Sequence, residues 1–117
     1  KDKMANEEKR EVVTVFQQKY TGVLIYAIPN EEKRFAWIGA KLKGEGVVAG
    51  VPDFVIPAWS LFIEMKQVKG GTVSKNQKDV IKELVERDYD VLITRGNKAA
   101  QLQLKNFLER NYATYKI

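Results

Sequence analysis

Two carboxylates and a lysine stand at a spacing that a hairpin would turn into a site. Asp53 precedes the apolar run Phe54-Val55-Ile56, the corner Pro57-Ala58-Trp59-Ser60 follows, and Leu61-Phe62-Ile63 leads into Glu64-Met65-Lys66. Two short β-branched and aromatic runs around a turn signal predict a hairpin. Its midpoint falls between Ala58 and Trp59, so a symmetric register sets Asp53 directly across from Glu64. Opposed Cβ atoms in such a pair lie about 4.5–5.5 Å apart, where two bare like charges repel. Lys66 lies two residues beyond Glu64, so strand alternation puts both on one face. The bland alternative is an ordinary cross-strand charge cluster on a solvated sheet face.

A hard divalent cation is the natural neutraliser of Asp53 and Glu64. Mg2+ and Mn2+ take oxygen ligands, often from only one or two carboxylates, and keep several waters. The Met65 backbone carbonyl, between Glu64 and Lys66, is a reasonable further ligand. Water on such an ion is more acidic, and Lys66 beside it would orient or help deprotonate the nucleophile. A phosphodiester fits as substrate, because the ion offsets the charge developing on its oxygens.

Composition narrows the chemistry in the same direction. Among 117 residues there is no Cys and no His, which excludes disulfides, Cys/His zinc sites, Ser-His triads and Cys nucleophiles. Apolar content of 44% and charged content of 30% suit one soluble domain with a single layered core. The net charge of +5, from 20 basic and 15 acidic residues, mildly favours an anionic partner. No apolar run reaches bilayer length and no secretory segment is visible, so the expected setting is cytoplasmic, without a membrane partner. Lys1-Asp2-Lys3, ahead of Met4, reads as a remnant outside a single domain over 4–117.

The elements that must position these residues follow in order. A first helix is predicted over 6–20, with Asn6 as N-cap and Val12, Val13, Phe16 and Tyr20 on one stripe. Thr21-Gly22 ends it, and a strand over 23–28 stops at Pro29-Asn30. A second helix over 31–42, with Phe35, Ile38 and Leu42 on one face, leads into a Gly-rich, basic approach in which Gly50 and Pro52 constrain the backbone before Asp53. After the hairpin, Ser74 opens a helix with Val80, Ile81, Leu84 and Val85 inward, closing near Asp88. Val91-Leu92-Ile93-Thr94 reads as an apolar strand buried on both faces. Asn97 caps a last helix carrying Leu102, Leu104, Phe107 and Leu108. The crossover rule makes the last strand parallel to a neighbour. The class is α/β, a mixed central sheet flanked by helices.

Pro52-Asp53, ten intervening residues, then Glu64-Met65-Lys66 resembles the PD-(D/E)xK nuclease superfamily, and more narrowly the VRR-NUC family of small nuclease domains. The supporting stretches are Pro29-Asn30-Glu31 with Lys33-Arg34, the run Gly46-Val47-Val48-Ala49-Gly50-Val51-Pro52-Asp53, and Gly71-Thr72-Val73-Ser74 with Gln77. Nearly all of residues 6–100 is covered. The resemblance implies a restriction-endonuclease-like α-β-β-β-α-β core. It implies Mg2+ or Mn2+ on Asp53, Glu64 and the Met65 carbonyl, with Lys66 as catalytic lysine. It also implies an acid from the first helix, with Glu8 first and Glu11 as the alternative; both also suit a helix start. Gln77 has two readings, as N3 of a capping box with Ser74 and as a catalytic-site residue.

Among the basic residues, Lys33, Arg34, Lys41 and Lys43 cluster before the site and Lys69, Lys75 and Lys78 after it. Such flanks suit phosphate contacts that position DNA without reading its sequence. Stand-alone VRR-NUC proteins of this size resemble junction-resolving nucleases, implying branched or structured DNA as substrate, a homodimer and a phage or prophage origin, hence a host cytoplasm. Phe35, Trp37, Ile38 and Val47-Val48 suit either that interface or the core. The rivals are a flap or single-strand nuclease and a non-catalytic DNA-binding module.

Overall fold

The computed structural model describes residues 2–29, 44–46 and 48–111. Helix α1 (Asp2–Lys19) is followed by a two-residue strand β1 (Tyr26–Ala27). The strands β2 (Phe54–Ile56) and β3 (Leu61–Lys66) are joined by a single 3-10 turn over Pro57–Trp59. Helix α2 (Lys75–Glu86), strand β4 (Asp90–Arg95) and helix α3 (Asn97–Asn111) complete the order. The sheet runs β1-β2-β3-β4, antiparallel until β4, which lies parallel to β3 as the crossover expectation requires.

The hairpin has the register expected from its sequence. Phe54 pairs with Ile63, Val55 with Phe62 and Ile56 with Leu61. Pro57 starts the turn and Ser60 closes it at φ 48. Alternation then sorts the side chains: Phe54, Ile56, Leu61 and Ile63 share one face, while Val55, Phe62, Glu64 and Lys66 share the other. On the first face they join Phe16 of α1 and Leu104 and Phe107 of α3 in the buried core. Trp59 drops into that core, its ring edge-on to Phe16 at 5.2 Å and to Tyr20 at 5.3 Å. Fully burying a side chain of this size contributes on the order of 2–3 kcal/mol, which locks the turn. The second face carries α2.

Several local expectations are corrected. Helix α1 begins at Asp2, so Asn6 is an interior helical residue and not its N-cap. The strand expected over 23–28 shrinks to two residues, because its partner β2 is itself only three residues long. Val23 and Ile25 still bury alternately as extended chain, without a ladder. Strand β4 is an edge of the described sheet rather than a strand buried on both faces, and Ile93 is 38% exposed. Helix α2 turns Val85 to solvent, leaving Gln77 as its one buried residue. In α3, Leu102 is exposed and Ala100 is buried in its place. Leu102 and Leu104 lie two positions, roughly 200°, apart around a helix, so one stripe cannot hold both. The helix expected over 31–42 falls outside the described residues.

Candidate active site

The site grows out of the far end of the hairpin, beyond the core. The chain approaches through Gly50 at φ +89, where a Cβ would lie 2.6–2.8 Å from the backbone of Asn76 and Gln77. Only glycine permits this, both for its conformation and for the close approach to the start of α2. Pro52 follows, fully buried. One step beyond the last hairpin pair, the same register sets Asp53 across from Glu64. The Asp53 carbonyl accepts the Ile28 N–H at 2.8 Å, tying its backbone to the segment after β1.

Both acids are buried, and their oxygens have unequal partners. Asp53 Oδ2 accepts the Met65 backbone N–H at 2.7 Å, and Oδ1 pairs with Lys9 Nζ of α1 at 3.1 Å. Glu64 Oε2 accepts from Gln77 Nε2 at 2.9 Å and lies 3.4 Å from Lys66 Nζ. Among the described residues, buried Glu64 Oε1 has no hydrogen-bond partner. Lys66 Nζ donates in turn to Gln77 Oε1.

Gln77 completes the capping box and also reaches Glu64 and Lys66. The Ser74 side chain accepts the Gln77 N–H at 3.2 Å, and Gln77 Oε1 accepts the Ser74 N–H at 2.9 Å, a complete capping box. The same carboxamide holds Lys66 through its oxygen and Glu64 through its nitrogen. An amide has acceptor and donor ends, so one residue caps the start of α2 and holds both Glu64 and Lys66.

Burial, and then the Asp53 charge, push the Glu64 carboxyl up to about 7, against the opposing pull of Lys66 and Lys9. The two lysines therefore leave this pair of acids short of positive charge. An unpartnered buried carboxylate oxygen, a second acid across the strand and an all-oxygen donor set fit a hard divalent cation. Among the described residues no cluster of three metal-ligating side chains exists. Mg2+ and Mn2+ need only one or two carboxylates. Asp53, Glu64 and the Met65 carbonyl are the groups that would hold it.

The structure brings together Asp53, Glu64, Lys66 and Gln77, four of the residues singled out in the sequence. The Glu8 carboxylate accepts the Asn97 N–H at 3.2 Å, at the start of α3. Glu11 is exposed. Lys9 was missed. It lies three residues before Val12 and seven before Phe16, so the periodicity that marks the inward stripe includes it. Of the basic flank, Lys69 is exposed, and Lys75 is exposed and paired with Asp79 at 3.2 Å. Arg34, Lys41 and Lys43 lie outside the described residues, as do Phe35, Trp37, Ile38 and Val47.

Comparison with solved structures finds a VRR_NUC domain protein superposing with a TM-score of 0.63, over 86% of this chain and 87% of that one, at 24% identity. The chain has the fold of a VRR_NUC domain protein. The fold implied by the sequence resemblance is thus the fold observed. No protein-family model and no curated protein matches the sequence. In this VRR_NUC-like fold the residue just before β2, strand β3 and helix α2 carry the four gathered residues, and α1 and α3 pack on the opposite face of the sheet.

Proposed function

We propose that this chain is a Mg2+- or Mn2+-dependent endonuclease that cuts branched DNA, resolving Holliday junctions as a homodimer. One observation carries the reading: Lys66 is held between Glu64 and Gln77, beside an unpartnered, buried carboxylate oxygen that faces a second acid. The VRR_NUC-like fold supports it, as does the net charge of +5 for a polyanionic substrate.

Bound at these oxygens, the ion would supply a more acidic water and would offset charge on a phosphodiester. The chain's own residues do the rest. Asp53 is fixed from both sides, by the Ile28 N–H on its carbonyl and the Met65 N–H on Oδ2. Glu64 is held through Oε2 by Gln77, leaving Oε1 free to ligate. Gln77 Oε1 keeps the Lys66 ammonium from collapsing entirely onto Glu64, so it stays available to the attacking water or the phosphate.

Purified protein offered four-way junctions, flaps and linear duplex with Mg2+ or Mn2+ tests this directly. The expected result is paired cutting of four-way junctions by a dimer, with light scattering giving the dimer mass. Asp53→Asn and Lys66→Ala should each lower cutting by at least about 10³-fold while junction binding survives. Cutting confined to flaps would replace the resolvase assignment, and binding without any cutting would leave a DNA-binding module.

A further inference from the structure

Lys9 stands at the oxygen that an ion needs. Asp53 Oδ2 already accepts the Met65 N–H, so Asp53 Oδ1 and Glu64 Oε1 are the oxygens that would be most open to an ion. Glu64 Oε1 has no partner, but Asp53 Oδ1 already has one, the Lys9 ammonium at 3.1 Å. Lys9 reaches it from α1 on a flexible stem whose side chain is 38% exposed, whereas Asp53 is 8% exposed. The acid is therefore fixed in the protein, and the lysine has an open route back to solvent. Two cations cannot share one carboxylate oxygen without strong mutual repulsion.

We propose that Lys9 is a displaceable counter-ion: it neutralises Asp53 while the site holds no ion, and it leaves Asp53 Oδ1 when a divalent cation binds. This rests on the metal-dependent reading above. Lys9 acts through Asp53 and is a positioning residue. It holds the acid aligned before loading, and it weakens ion uptake by the cost of its own displacement. The Glu8 carboxylate next to it has its own partner at Asn97, so the neighbouring acid does not hold the lysine in place.

Calorimetric titration with Mn2+ alone, without DNA, reads this competition. Lys9→Met should bind Mn2+ roughly tenfold tighter than wild type, the weight of one screened charge a few ångströms away. Lys9→Arg, which keeps the charge, should stay within about threefold of wild type, and Asp53→Asn should abolish uptake. Amine labelling of the wild-type chain, read by mass spectrometry, supplies a second measurement that needs no variant to fold. Lys9 should become more reactive when Mg2+ is added, while Lys75, paired with Asp79 away from the site, stays unchanged. Wild-type protein that takes up no Mn2+ overturns the metal reading and this proposal together. Wild-type uptake with Lys9→Met binding no tighter, or with Lys9 labelling unmoved by Mg2+, overturns the proposal alone.

Discussion

On the α2 side of the site, Gln77 meets the hairpin with both ends of its amide engaged and its backbone capped by Ser74. On the α1 side a single partly exposed lysine reaches Asp53, and its neighbour Glu8 turns to the start of α3. The first wall is a closed network that one glycine allows to approach; the second is one long side chain on a helix. Closed, buried networks rigidify, whereas an ion pair open to solvent exchanges at little cost. The difference assigns the two walls different work: α2 sets the geometry of Glu64 and Lys66, and α1 supplies an exchangeable charge.

The largest break in that contrast comes from Gly50. Gly50→Ala places a methyl group against the Asn76–Gln77 backbone at a φ of +89. Strain and overpacking together should cost about 2–4 kcal/mol in urea unfolding. Cutting should fall with stability, because the displaced residue is Gln77.

Next in size is a pH effect confined to the ion-free protein. The folded state holds the Glu64 proton up to about 7, so it binds more protons than the unfolded chain above the ordinary carboxylate range. Stability should therefore be fully present at acid pH and decline by about 2–3 kcal/mol as pH rises through that window to neutrality. Saturating Mg2+ should flatten the decline in thermal unfolding curves. A stability that rises over the same interval would place the charge deficit elsewhere.

Gln77→Ala should follow, at about 1–3 kcal/mol, since it strips a buried acid of its donor and Lys66 of its acceptor. Its cutting loss should exceed its stability loss, because Lys66 then closes on Glu64. Glu8→Gln should be smallest. Removing a negative charge from the start of α3 costs about 0.3–1 kcal/mol, and Mn2+ affinity should be unchanged. A tenfold fall in that affinity would instead show that Glu8 leaves Asn97 when the ion binds.

The hairpin was legible because its signal is local. Phe54-Val55-Ile56 and Leu61-Phe62-Ile63 alternate about a turn, and a period of two leaves a single register that buries Ile56, Leu61 and Ile63 together. The capping box around Ser74 was legible for the same reason. The edge position of strand β4 was not, because an apolar run reads alike in the middle of a sheet and at its edge. The length of β1 was not, because it depends on how many residues its partner offers.

The amino-acid order alone determined that Asp53, Glu64 and Lys66 share a face and that Gln77 stands at N3 of its helix, since strand and helix periods act over a few residues. Tertiary structure decided which side chain of α1 meets Asp53. Glu8 and Lys9 are adjacent on a helix, about 100° apart, and Val12 and Phe16 admit either as the inward one. Docking of α1 against the core and α3 selects Lys9 for the acid and Glu8 for the Asn97 N–H. That choice depends on the rotation of a whole helix against residues far away in the chain.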